Sequence, residues 1–149
     1  MKYLTNNPAQ TRKLGEILAK EVLKTQPRGK ALIFGLKGDL GGGKTTFLQG
    51  FSKGLGIKQK ITSPTFVIMR RYKIQNTRYK IQNFYHIDCY RIEKPKEILN
   101  LGFKEIISNP QNIVVIEWAD RIRKILPKKA IIIKFEFVGK TTRKIYLIG

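Results

Sequence analysis

The chain has 149 residues, enough to bury roughly 68–70% of the surface its unfolded form exposes, so it needs no disulfide or metal staples. A single cysteine, Cys89, and a single histidine, His86, exclude an internal disulfide and give poor support to a zinc cluster or a Ser-His-Asp triad. No apolar run approaches the ~20 residues of a membrane span, and residues 1–8 lack a signal-peptide core, so the simple expectation is a cytoplasmic protein with no membrane contact. Thirty Lys and Arg against ten Asp and Glu give a net charge of +20. That charge suits attraction to nucleic acid, and it suits equally a Lys-covered surface, because the basic residues run from Lys2 to Lys144 with no single tract.

In chain order, residues 8–25 carry Leu14, Ile17, Leu18 and Val22 at helical spacing, and Pro27-Arg28-Gly29 ends the pattern. Residues 31–36 (Ala-Leu-Ile-Phe-Gly-Leu) read as a buried strand. A glycine-rich turn follows, then a helix over residues 46–55 closed by Gly54-Leu55-Gly56. Residues 61–72 read mostly as a strand. The hexapeptide at 71–76, Arg-Tyr-Lys-Ile-Gln-Asn, recurs unchanged at 78–83, which suggests a duplication lengthening a β-hairpin with its turn near 75–77. Its alternating aromatic and basic residues suit a half-exposed strand better than an RNA-stacking surface. A second strand over 84–92, a helix over 95–107 that includes Gly102, a strand over 112–117 and a terminal hairpin of 130–138 with 143–148 complete the reading. Parallel strands with helical crossovers plus hairpins give an α/β fold with a mixed sheet flanked by helices. No linker divides the chain, so one domain over residues 1–149 is expected.

The chemistry concentrates in residues 38–45. Gly38, Asp39, Leu40, Gly41, Gly42, Gly43, Lys44 and Thr45 spell GxxxxGK[ST], set between a strand and a helix. Glycines let the backbone approach an anion closely, and a helix N-terminus adds partial positive charge at the same spot. Lys44 has the length to reach β- and γ-phosphates, and Thr45 can offer its hydroxyl to Mg²⁺. The letters GKTT recur at 139–142, but there Lys134 stands where the first glycine is required and no helix follows, so that copy reads as a hairpin turn.

Ile113-Val114-Val115-Ile116-Glu117 is an apolar strand ending in an acid, the pattern of a Walker B strand. Ligands of open α/β sheets sit at such carboxyl ends, which makes Glu117 a candidate Mg²⁺ ligand. On a strand His86, Asp88 and Tyr90 share a face. Asp88 is then a candidate to orient a water or a metal ligand, or simply a buried, hydrogen-bonded acid. Thr65, in Ser63-Pro64-Thr65, sits where a loop sensing the γ-phosphate would lie, although turn chemistry explains Ser-Pro equally well.

Taken together, Gly38 to Thr46, Thr62-Ser63-Pro64-Thr65-Phe66, His86-Ile87-Asp88-Cys89-Tyr90-Arg91 and Ile116-Glu117-Trp118, in this order and spacing, resemble the bacterial TsaE (YjeE) family of P-loop ATPases across nearly the whole chain. The resemblance implies Mg²⁺-dependent ATP hydrolysis in support of N6-threonylcarbamoyladenosine formation at position 37 of tRNA, with TsaB and TsaD proteins as partners and tRNA at least an indirect one. By position it implies ATP contacts from residues 38–46, including Thr46, with Trp118, Thr11 and Arg143 near the nucleotide. It further implies metal ligation by Thr45 and Glu117, and a catalytic set of Lys44, Asp88, Glu117 and Thr65. Gly42 stands where the family usually has alanine, and the 71–83 hairpin is a few residues long.

Two other functions suit parts of the sequence. A small-molecule kinase would use Arg121 and Arg123 as a lid, but no acceptor signature appears. A basic RNA-binding module suits the charge and leaves the phosphate loop unexplained. No arginine finger is identifiable, so weak hydrolysis alone and stimulation by partners is the expectation.

Overall fold

A computed structural model describes residues 1–25, 29–38, 43–61, 68–75 and 78–149. Its frame is a seven-stranded mixed sheet in the order β1-β7-β6-β2-β5-β4-β3. The strands are β1 Lys2–Thr5, β2 Leu32–Lys37, β3 Met69–Lys73, β4 Asn83–Asp88, β5 Asn112–Glu117, β6 Ile131–Phe137 and β7 Arg143–Ile148. The four central strands β6, β2, β5 and β4 run parallel, and β1, β7 and β3 pair antiparallel at the flanks.

Because successive residues of a strand face opposite sides, the register sorts the core into two faces. Phe34, Leu36, Phe84, Ile113 and Val115 face helices α1 (Pro8–Lys24) and α2 (Lys44–Gly54), packing on Ala19, Val22, Phe47, Leu48, Phe51 and Leu55. Ile33, Ile87, Val114 and Ile116 face α3 (Lys96–Leu99), α4 (Phe103–Ser108) and a 3-10 turn at Ala119–Ile122, where Ile98, Phe103, Ile106 and Ile122 are buried. The layers are therefore helix, sheet, helix. The β5 burial pattern is unbroken, as expected of a central parallel strand covered on both faces.

Helix α1 starts where Asn7 caps it, its side-chain oxygen accepting the Gln10 amide at 2.9 Å, with Pro8 at the first helical position. It lies in backbone contact with α2. A methyl group on Gly50 would strike the Arg12 carbonyl, and one on Gly15 would strike the Phe47 carbonyl. Small residues on both helices thus set how closely the helix after the phosphate loop seats on its neighbour.

Several expectations change. The helix expected over 95–107 is two short helices, because the chain turns at Gly102 with φ 85°. Strand β4 stops at Asp88, so Tyr90 does not continue the face of His86 and Asp88: its amide donates to Asp88 Oδ1 at 2.9 Å in a local turn. The duplicated hexapeptides do not form two long paired strands, since β3 and β4 pair over five residues and 78–82 lie outside the ladder. Tyr72, Ile74 and Ile81 from the two copies are buried in the core, which supports the structural reading of the repeat. The strand expected from residue 61 is seen from Met69, and residues 62–67 lie outside the described residues. Strand β1 is an addition to the expected elements.

Candidate phosphate-loop site

Strand β2 ends at Lys37 and α2 begins at Lys44, so the described ends of the loop, Gly38 and Gly43, straddle the carboxyl edge of the parallel sheet. Gly43 has φ 99°, a left-handed conformation that a residue with a Cβ adopts only under strain. Gly43, at the N-cap of this 11-residue helix, has no side chain to cap the first-turn amides, and among the described residues no side chain does so, which leaves the helix's partial positive charge facing the loop. The Lys44 side chain is buried. Its Nζ donates to the Gly38 carbonyl at 2.9 Å and lies 5.0 Å from the centroid of the Trp118 ring. Among the described residues this ammonium is held by one carbonyl and a ring face, which leaves hydrogen-bonding capacity for an incoming anion.

Beside it opens a cavity of about 550 Å³, within the range of small-molecule sites. Leu36 to Gly38, Lys44, Trp118, Asp120 and the stretch Lys134 to Phe137 of β6 line it. It therefore lies over the carboxyl ends of β6, β2 and β5, where ligands of open α/β sheets bind. Trp118 has φ 56° and ψ 42°, the one described non-glycine residue with positive φ. Its ring packs against Tyr90 at 5.2 Å, and the Arg121 guanidinium lies 5.7 Å from both rings.

Asp88 and Glu117 are register partners at the ends of β4 and β5, and Leu36 is the register partner of Glu117 on β2. Burial first, and then the charge of Glu117, raises the Asp88 carboxyl above its ordinary range, while the Tyr90 amide, then His86 and Lys44, hold it down in part. Glu117 Oε2 and His86 Nε2 are hydrogen-bonded at 2.7 Å. Cys89 is buried, and burial pushes its thiol up to about 12, so it is no nucleophile at neutral pH.

Thr11 and Arg143 meet at Gly43: both would contact a Cβ placed there, each at 3.6 Å. Thr11 is fixed by a 2.7 Å hydroxyl contact with Thr5 of β1, and Arg143 by Nη1 donation to the carbonyls of Gly139, Lys140 and Thr142. Thr45 is exposed and Thr46 half-buried on the first turn of α2. Asp39, Leu40, Gly41, Gly42 and Thr65 lie outside the described residues. Sequence reasoning missed the β6 lining and the His86–Glu117 contact. The sheet order that brings β6 beside β2 has no local signature, and the only trace of the contact is a lone histidine two positions before Asp88. Arg121 and Arg123 belong to one 3-10 turn and its cap, with Ala119 and Ile122 anchored in the core, which does not resemble a lid.

A strand, a GxxxxGK[ST] loop, a helix with an uncapped N-terminus and an acid at the end of the adjoining parallel strand define a P-loop α/β protein. The family model described as "Threonylcarbamoyl adenosine biosynthesis protein TsaE" matches residues 5–145, and the chain belongs to the TsaE family. It is 34% identical over 145 residues to the tRNA threonylcarbamoyladenosine biosynthesis protein TsaE of Bacillus subtilis, covering 97% of this chain and 83% of that one. It is likewise 34% identical over 138 residues to the TsaE protein of Haemophilus influenzae, covering 93% and 80%. The crystal structure of Bacillus subtilis YdiB matches with a TM-score of 0.72 at 31% identity, covering 99% of this chain and 83% of that one. The family is involved in tRNA threonylcarbamoyladenosine biosynthesis. No helix among the described residues is long and apolar enough to cross a membrane.

Proposed function

We propose that residues 1–149 act as one P-loop domain that binds ATP with Mg²⁺ and hydrolyses it to support N6-threonylcarbamoyladenosine formation on tRNA, together with a TsaB–TsaD pair in the cytoplasm. The observation that carries this reading is Lys44: its ammonium sits buried between the Gly38 carbonyl and the Trp118 ring, at the uncapped start of α2 and the mouth of a nucleotide-sized cavity.

In this reading the amides of residues 38–46 and Lys44 grip the phosphates, Trp118, Thr11 and Arg143 flank the nucleotide, and Thr45 and Glu117 hold the metal. The donor set suits Mg²⁺, which takes one or two carboxylates plus phosphate oxygens and waters rather than a dense protein cage. Among the described residues no cluster of three ligating side chains exists. Two in-register acids with one carboxyl raised are a pair that a cation would relieve. Bound Mg²⁺ supplies charge neutralisation across the β- and γ-phosphates. Asp88 orients the attacking water, and Thr65 senses the γ-phosphate. No arginine finger is identifiable in the sequence, so turnover alone is slow, on the order of 10⁻⁴ per second where that group is missing, and a group supplied by the partner pair raises it.

The test is a strain lacking this gene, with N6-threonylcarbamoyladenosine measured in digested tRNA. The wild-type gene restores the nucleoside and Lys44→Ala does not; restoration by Lys44→Ala removes the phosphate loop from the function. Hydrolysis by purified protein rises when TsaB and TsaD are added, and equal rates remove the dependence on partners.

A further inference from the structure

His86 is 1% exposed, so a polar ring is buried here at a cost unless it is satisfied. One of its nitrogens is satisfied: Nε2 lies 2.7 Å from Glu117 Oε2. The other, Nδ1, is buried with no hydrogen-bond partner among the described residues. A histidine kept only to knit the core would be expected to use both nitrogens. Among the described residues this ring has one hydrogen-bond contact, and it goes to the acid at the edge of the site. A hydrogen on Nδ1 would be a buried donor without an acceptor, so the hydrogen-bond pattern assigns the ring hydrogen to Nε2, which donates to the carboxylate.

The ladder explains the reach. His86 is the register partner of Val115, so Glu117 lies two residues further along β5 on the same face. The ring is steadied by Phe84, whose plane is within 5° of its own at a centroid separation of 6.4 Å. On Glu117 the bond engages Oε2, and Oε1 makes no hydrogen bond among the described residues. A nearly buried carboxylate pinned through one oxygen presents the other in a fixed direction. Groups that orient a metal ligand in this way typically account for about 10- to 100-fold of metal affinity.

We propose that His86 is a positioning residue: through its Nε2 hydrogen bond it fixes the Glu117 carboxylate so that Oε1 faces the metal bound with the nucleotide. This rests on the reading of Glu117 as a metal ligand.

The experiment is calorimetry of adenylyl imidodiphosphate binding, in Mg²⁺ and in EDTA, to wild type, His86→Leu, His86→Gln, Glu117→Gln and the double variant His86→Leu/Glu117→Gln. His86→Leu is expected to weaken binding in Mg²⁺ by about 10-fold or more and to leave binding in EDTA unchanged. His86→Gln, whose amide N–H can stand in for Nε2, recovers most of the loss. The double variant binds no worse than Glu117→Gln, because the two residues act as one unit. Where the leucine variant does not fold, His86→Asn, with an amide too short to reach Glu117, replaces it with the same expectation. Equal losses with and without Mg²⁺, no loss, no recovery by glutamine, or additive effects in the double variant overturn the proposal. If Glu117→Gln loses Mg²⁺-dependent affinity and His86→Leu does not, only the role of His86 falls. If Glu117→Gln itself binds normally in Mg²⁺, the metal reading of Glu117 falls and takes His86 with it.

Discussion

Asp88 and Glu117 face one another across the β4–β5 ladder at the last residue of each strand. Burial, reinforced by the neighbouring Glu117 charge, lifts the Asp88 carboxyl above its ordinary range. A carboxyl with a folded value above its unfolded value binds its proton more tightly in the folded state. Its contribution to stability is therefore present below the unfolded value and is lost as pH rises through the folded one. In ligand-free protein at neutral pH, Asp88 is a burden.

Asp88→Asn removes that burden while keeping an acceptor for the Tyr90 amide. Thermal melts in EDTA are expected to show a higher Tm than wild type at pH 7 to 8. The gain should shrink as pH falls through the raised folded value and be gone below about 4, the ordinary carboxylate value. On the proposed role of Asp88 the same variant is expected to lose hydrolysis, measured as phosphate release. A Tm gain independent of pH, or a Tm loss at neutral pH, contradicts this account of the site's charge.

Trp118 is the only tryptophan, and its ring lies beneath the Lys44 ammonium in the cavity wall. A cation over an indole face is worth about 0.5–2 kcal/mol, so drawing Lys44 onto a phosphate costs little and changes the surroundings of the ring. Titration with Mg-ADP is expected to change tryptophan emission saturably, and Lys44→Ala to abolish the change. An unchanged spectrum at a nucleotide concentration that saturates binding contradicts the placement of the phosphates beside Lys44.

Gly50 tests the packing that seats the loop. Any side chain there meets the Arg12 backbone across the α1–α2 contact, where neither helix backbone can yield without moving the other. Gly50→Ala is expected to destabilise by about 1–3 kcal/mol, read as a lower denaturation midpoint, and to weaken nucleotide binding because Thr11 and Gly43 shift with the helices. Gly29→Ala probes the opposite case. Its Cβ would meet nothing within 4 Å, so the only cost is the strain that a Cβ incurs at φ 75°, and nucleotide affinity stays unchanged.

Much of this arrangement is legible in the residues themselves. Leu14, Leu18 and Val22 mark α1, residues 31–46 announce strand, loop and helix, and four apolar residues before Glu117 mark the end of a buried strand. These signals are local, and the physics behind each is local too. What escapes depends on contacts between distant segments. β1 is four residues at a sheet edge, too short for a period to emerge. The helix over 95–107 breaks because Gly102 takes a left-handed conformation that apolar spacing does not reveal. The approach of Thr11 to Gly43 follows from small residues between two helices. The His86–Glu117 bond joins positions 31 apart through a parallel register that no turn specifies. The β6 wall of the cavity needs the strand order, which is a property of the whole sheet.

The most direct measurement is calorimetry of Mg-ATP and Mg-ADP binding to purified protein, wild type against Lys44→Ala. Loss of a charge-assisted contact costs about 1.5–3 kcal/mol, so Lys44→Ala should bind roughly 10- to 150-fold more weakly than a wild type that binds at one site per chain. Absence of binding heat from the wild type across a range of temperatures, or equal affinity in the two proteins, would contradict the account.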